Sequence, residues 1–327
     1  MKGRAELKLL RASATILLLG AVFYYSGLFN TAGRRTLAET LAGTRIEFIF
    51  AAIAMNGLLD LVSAFKWRIL SRALGLRGST WELFEIYLSA RFFNLVLPSN
   101  IGGDVLRVGL QARISGNTAS AAASVLVDRL TGLITLVAFA LVATLLTLRS
   151  VNQPLVTEAI IVTVAGLGLV LWMILDQRPF EFIRARLTQR FPRLDKLFTR
   201  MEKVRGGITL YRSRWAHLLL AFLVSSVFYL AAGVGFWVNI VAFDPTIPLL
   251  SVLIACPLMM TIMNLPLSIG NIGIEEFAYT AVLTSFGVPP AVAFSAALLH
   301  RLKTFLAAGV GGLLYNWVES RKLGMGR

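Results

Sequence analysis

Polar residues able to do chemistry fall in four clusters, each inside otherwise apolar sequence. Arg91 and Asn94 stand about one helical turn apart, ahead of Leu97-Pro98-Ser-Asn100-Ile-Gly102-Gly103-Asp104, and Arg107 follows Asp104 at an i, i+3 spacing. Asp128-Arg129 comes next. In the second half, Leu265-Pro266-Leu-Ser-Ile-Gly270-Asn271-Ile-Gly273 leads into Glu275-Glu276, and His300-Arg301-Leu-Lys303 completes the set. Ionisable groups are costly inside a membrane, so each needs a reason to be there. The set suits an anionic ligand. Half-helix N-termini after the Gly-rich breaks would present free N–H groups, and arginine grips phosphate bidentately. Arg91, Arg129 or Arg301 could hold a phosphate head group, and Asp104 or a glutamate could take up protons or balance the arginines.

Each residue also has a plainer explanation. Pro and Gly in a membrane helix often mark only a kink. Asp128-Arg129 is equally consistent with a structural ion pair. Arg301 opens the last apolar stretch and could snorkel to the head groups. Glu275 and Glu276 are adjacent, so on a helix they point different ways, and one of them is expected to matter. Nothing assigns a catalytic role. There is no nucleotide loop, no Asp-rich metal motif and no acid phosphatase-type His/Arg set. Cys256 is the sole cysteine and His217 and His300 the only histidines, so neither a metal site nor a cofactor is expected.

The surroundings make these residues intramembrane. Hydrophobic residues are 57% of the 327 and charged residues 15%, against roughly 25% charged in soluble proteins. Full spans are predicted at about Ala12–Leu28, Ile46–Phe65, Ala119–Leu148, Thr157–Leu175, Ala216–Val241 and Ala291–Trp317. The first is read as an uncleaved helix, because Phe23-Tyr24-Tyr25 stands where a small-x-small cleavage site would be. The net charge of +15 sits in the connectors, which is the positive-inside pattern and argues against nucleic acid as partner. Trp67, Trp81, Trp215 and Trp317 near span ends read as interfacial anchors.

Charge also sets the topology. Lys2 to Arg11, the Lys66–Arg77 segment, the Arg178–Arg214 connector and Arg321 to Arg327 all place themselves in the cytoplasm, with only Arg34, Arg35 and Arg45 dissenting. Trp81 to Ser115 must then start and end inside, and Leu249 to Gly287 must start and end outside. Both read as re-entrant hairpins with Pro98 and Pro266 near their tips at membrane depth, where irregular backbone must face protein or a cavity. Opposite entry suggests an inverted repeat. Val125-Leu-Val-Asp128-Arg129-Leu130 parallels Ala297-Leu-Leu-His300-Arg301-Leu302, with an Arg offset of 172 and a Pro offset of 168. The expected fold is thus one all-α integral membrane domain over residues 1–327: a polytopic helical bundle with two broken-helix hairpins and repeat halves 1–150 and 151–327. Residues 176–215 form a cytoplasmic amphipathic connector, with Phe180, Ile183, Leu187, Phe191, Leu194 and Leu197 at helical spacing and Pro192 interrupting it.

At Arg91–Arg107 and Leu265–Phe277 the chain resembles the lysylphosphatidylglycerol synthase transmembrane-region family, also called flippase-like or YbhN-like membrane proteins. Asp128-Arg129 and His300-Arg301-Leu-Lys303 fit the same pattern, and the resemblance covers nearly the whole chain. It implies movement of a lipid between leaflets of a bacterial plasma membrane, with both termini cytoplasmic. The expected partners are membrane lipids with phosphate head groups, and self-association stays open. No aminoacyl-transferase domain follows Trp317, so synthase activity is not implied. Two rivals remain: a membrane-embedded enzyme acting on a polyprenyl-phosphate or phospholipid, and an ion or small-solute carrier.

Overall fold

The computed structural model describes residues 30–96, 102–147, 177–190, 209–265 and 268–324, with isolated helical positions within 13–24, 158–172 and 195–206. The expected spans at Ala12–Leu28 and Thr157–Leu175 lie largely outside the described residues. So do Pro98, Asn100, Pro192 and Pro266.

The described chain is helical, without a strand. Helix α1 (Thr31–Ala42) precedes α2 (Ile46–Ala73), α3 (Thr80–Val96), α4 (Gly102–Ser115) and α5 (Thr118–Thr147). After the connector helix α6 (Gln177–Arg190) come α7 (Trp215–Val241), α8 (Leu249–Met263), α9 (Ile274–Ser285) and α10 (Pro290–Gly324), with a 3-10 turn at Ile269–Asn271 between α8 and α9. Segments of α2, α5, α7 and α10 are long and apolar enough to cross a bilayer: Ile46–Ala73, Thr118–Leu146, Trp215–Val241 and Pro290–Asn316. The protein is a polytopic, all-helical membrane protein. At 1.5 Å per residue, α2 is about 42 Å long, whereas α3, α4, α8 and α9 are only about 26, 21, 23 and 18 Å, short of the ~30 Å hydrocarbon core.

The helix order recurs along the chain. Helices α2 and α3 start at Ile46 and Thr80, and α7 and α8 start at Trp215 and Leu249, the same distance further along in both cases. Helices α4 and α5 start at Gly102 and Thr118, and α9 and α10 start at Ile274 and Pro290, again with one shared shift, slightly longer than the first. Packing is reciprocal as well. In each half the long fourth helix packs on the short helix that opens the break in the other half, α10 on α3 and α5 on α8, while α2 packs on α7. A Cβ on Gly311 of α10 would collide with the Leu88 carbonyl of α3, and one on Gly312 would stand 2.9 Å from the Phe92 ring. Small residues bring these two helices together, as membrane helix interfaces require.

Helix α2 does not stop at Phe65 but runs on to Ala73. Lys66 and Trp67 therefore sit in the helix rather than in a basic connector. Trp67 is fully buried, and its indole N–H donates to Ser124 Oγ at 3.1 Å. It is a core residue, not an interfacial anchor, because the start of α5 covers it. Trp81 and Trp215 are exposed, at 61% and 69%. In the connector, Arg184 of α6 bridges Asp195 at 3.2 Å and Glu202 at 3.0 Å.

Candidate functional site: a charged junction between the repeated helices

Asp60 and Lys66 of α2, Arg91 of α3, Asp104 and Arg107 of α4, and Asp128 and Arg129 of α5 converge. Asp128, 5% exposed, is the hub. It accepts from Arg107 Nη2 at 2.7 Å through Oδ2, and its Oδ1 lies 3.1 Å from Lys66 Nζ, which also donates to the Asp128 carbonyl at 3.0 Å. The Arg107 guanidinium lies over the rings of Trp67 and Tyr87, 4.3 and 4.9 Å from their centroids. Its charge is thus neutralised on one side and covered by π faces on the others. Arg91 pairs with Asp60, a carboxylate 1% exposed.

Arg129 is held differently. One oxygen, Asp104 Oδ1, accepts from its Nε at 3.2 Å and its Nη2 at 2.9 Å. The same oxygen is 3.6 Å from Arg107 Nη1. Two guanidiniums share one carboxylate, and the Arg129 side chain is 49% exposed. Asp128-Arg129 is therefore not a mutual ion pair; each member turns to a different partner, as neighbours on a helix must.

The second half repeats the plan with another outcome. Arg129 reaches Asp104, the third residue of α4, and Arg301 reaches Glu276, the third residue of α9. Both pairs span 25 residues. Arg301, however, is 8% exposed and saturated. Its Nε donates to Glu276 Oε1 at 2.8 Å and its Nη2 to Glu276 Oε2 at 3.0 Å. Its Nη1 lies 3.0 Å from Glu275 Oε2, and the Gly270 and Asn271 carbonyls accept at 3.2 and 2.8 Å. Arg301 does not snorkel, since everything it needs is inside. Both glutamates are buried and both face it. The turn from Gly270 to Gly273 explains how. Gly270, Asn271 and Gly273 take positive φ of 59°, 58° and 88°, curling the backbone so that two carbonyls and the first turn of α9 surround one guanidinium. Gly273 N–H also donates to Glu276 Oε2 at 2.7 Å.

Two chambers open at this junction. The first, about 240 Å³, is lined by the residues flanking both breaks: Asn94 and Leu95 from one, Gly270 and Asn271 from the other, together with Arg91, Asp104, Arg129 and Glu275. The second, about 330 Å³, lies among α2, α5 and α7 and is lined by the charged Lys66, Arg107, Asp128 and Arg129 and by the apolar Leu133, Leu136, Val224 and Phe228. Tyr87, Arg107 and Arg129 line both.

Of the residues nominated from sequence, Arg91, Asn94, Asp104, Arg107, Asp128, Arg129, Gly270, Asn271 and Glu275 line a chamber. Glu276 and Arg301 brace the Gly-rich turn behind it. Gly102 begins α4, and Gly103 donates its N–H to Asn94 Oδ1 at 2.8 Å. A Cβ on Gly103 would stand 2.5 Å from the Ala90 carbonyl, so glycine is what lets α4 fold back onto α3. His300 and Lys303 line neither chamber. Lys303 donates to Asn239 Oδ1 at 2.7 Å, Asn239 donates to Tyr279 OH at 2.9 Å, and His300 stacks on Phe236. Sequence reading passed over Asp60, Lys66, Tyr87 and Asn239. Asp60 carried a usable signal, as the one carboxylate in the middle of the apolar run of α2, with Glu47 at its start. Lys66 did not, because it reads like any positive-inside residue.

Residues 11–312 match the family model described as the lysylphosphatidylglycerol synthase TM region. A relative named UPF0104 membrane protein from Methanothermobacter thermautotrophicus is 19% identical over 320 residues, covering 92% of this chain and 91% of the relative. No solved structure matches. With the family model spanning nearly all of the sequence, the chain belongs to the lysylphosphatidylglycerol synthase transmembrane-region family.

Proposed function

We propose that this protein moves a lipid with an anionic head group between membrane leaflets, with no chemistry performed on the lipid. The observation that carries the reading is the state of Arg129. It is a half-exposed guanidinium inside a helical bundle, it lines two adjoining chambers, and it is held by one carboxylate oxygen that a second arginine also uses. A phosphate offers two or more oxygens to the same fork and would compete well with Asp104. Arg301, at the equivalent place in the second half, has no donor to spare. Arg91 is a second contact, since it lines the first chamber beside Asn94 and Arg129.

The same reading makes α3–α4 and α8–α9 re-entrant hairpins in an inverted repeat. Their short helices, the matched helix starts in the two halves and the reciprocal packing support it. Both termini and the α6 connector then face the cytoplasm, in keeping with their basic residues. The test is reconstitution of the full chain in liposomes with fluorescent phosphatidylglycerol, followed by bleaching of the outer leaflet with dithionite. The protected fraction should fall well below the half that protein-free vesicles retain. An unchanged protected fraction would sink the proposal.

A further inference from the structure

Hydroxyls on the membrane helices nearly all turn back to their own helix. Ser63 donates to the Leu59 carbonyl, Thr131 to Val127, Thr144 to Ala140 and Ser226 to Phe222, at 2.7 to 3.0 Å. Ser225 does not. It is 1% exposed, its Oγ has no partner, and it lines the second chamber. Ser71 and Ser268 are the other buried hydroxyls without a partner among the described residues, and neither lines a chamber. An unpaired hydroxyl in an apolar bundle is unfavourable, and back-bonding to a helix carbonyl is the easy remedy. A buried hydroxyl on a residue at a cavity's edge that does not take that remedy keeps its donor free for something in the cavity.

The walls of the chamber say what. Lys66, Arg107 and Arg129 bring three positive charges to its lining against the one carboxylate of Asp128. Both bonds given to Lys66 go to Asp128, which leaves one of its three N–H donors over. Leu133 and Leu136 of α5 with Val224 and Phe228 of α7 supply hydrocarbon lining. The first chamber has only Ala90 and Leu95 as aliphatic lining and carries two carboxylates, Asp104 and Glu275. We infer that the second chamber is the binding site for a phospholipid at the point where phosphate meets hydrocarbon. In it, Ser225 Oγ donates to a phosphate-ester oxygen, Lys66 and Arg129 hold the charge, and the proximal chain lies along Leu133, Leu136, Val224 and Phe228. The first chamber takes the part of the head group beyond the phosphate. This rests on the lipid reading above and adds the orientation of the bound lipid and a recognition residue, Ser225.

The experiment uses the full chain in nanodiscs and phosphatidylglycerol bearing a diazirine in its acyl chain near the glycerol. Cross-links should map by mass spectrometry to Leu133, Leu136, Val224 or Phe228 and should be lost in Val224→Trp, which fills the chamber. Ser225→Ala should weaken phosphatidylglycerol binding about tenfold, the scale of one hydrogen bond to a charged oxygen. It should also keep or raise the unfolding temperature, because it removes an unpaired buried hydroxyl; a purely structural serine would not give that opposition of signs. Cross-links confined to the outer face of α7, at Leu223 and Val227, or unchanged binding by Ser225→Ala, would overturn the site. Should the parent and both variants flip lipid at one rate, the site falls and the transport reading stands. Should the chamber cross-link with no flipping above protein-free vesicles, the site stands and the transport reading falls.

Discussion

Arg129 and Arg301 occupy equivalent positions, so replacing each with lysine is the sharpest test of what the two halves have become. Lysine keeps the charge and loses the planar fork. At Arg301 the fork is fully used. Five contacts converge on it, from both glutamates and two backbone carbonyls, in a residue 8% exposed. An ammonium can satisfy at most three acceptors. At least one buried carbonyl and part of a carboxylate are left without a donor, each costing about 1–3 kcal/mol. Arg301→Lys should therefore lose roughly 3–5 kcal/mol, the scale of a broken buried ion pair. At Arg129 the native contact is a half-exposed pair with one oxygen, which contributes about 0–1 kcal/mol. Arg129→Lys should then unfold at nearly the parental temperature while binding and flipping anionic lipid roughly 10- to 100-fold less well, the effect of losing hydrogen bonds to a charged ligand. The assays are thermal unfolding in detergent by intrinsic fluorescence and flipping of fluorescent phosphatidylglycerol in liposomes. If both variants lose the same stability, the division of labour between the two arginines is wrong. If Arg129→Lys flips lipid at the parental rate, the phosphate grip is wrong.

Asp128→Asn leaves Lys66 and Arg107 buried without their shared carboxylate, and thermal unfolding should register a loss of about 3–5 kcal/mol. Gly311→Leu drives a side chain into the Leu88 carbonyl and should separate α10 from α3, seen as loss of the monodisperse peak in size-exclusion chromatography. In a background with Cys256→Ser, the exposed α6 position in Ala185→Cys should react with a membrane-impermeant maleimide from the cytoplasmic side alone; labelling from the other side would reverse the topology. Tyr211, outside the spans, is buried and donates to the Leu70 carbonyl at 2.9 Å, and burial pushes its phenol above the ordinary tyrosine range. Its contribution is fully present below about pH 10, the unfolded value, and is lost as pH rises towards the folded one. Tyr211→Phe should flatten that alkaline loss in a pH series of unfolding temperatures.

Sequence alone determined the medium and the parts. Apolar runs of bilayer-spanning length separated by basic connectors admit only membrane helices, and the ends of α5 and α7 and the start of α10 fall close to where hydropathy put them. The Gly-rich breaks before Asp104 and Glu275 were legible because glycine and proline interrupt an apolar pattern whatever surrounds them. Tertiary structure decided how each charge is used. The partners of these charges lie far off in sequence: Lys66 meets Asp128 across 62 residues, Arg91 meets Asp60 across 31, and Arg129 and Arg301 each meet a carboxylate across 25. Nothing local distinguishes Arg129 from Arg301, since each follows an ionisable residue near the start of a long apolar helix. What separates them is the neighbouring first turn. At Glu275-Glu276 a curled glycine backbone and two carboxylates close around Arg301, whereas at Asp104 a single carboxylate is divided between Arg107 and Arg129. A guanidinium has five donors, and only the packed bundle settles how many of them the protein itself consumes.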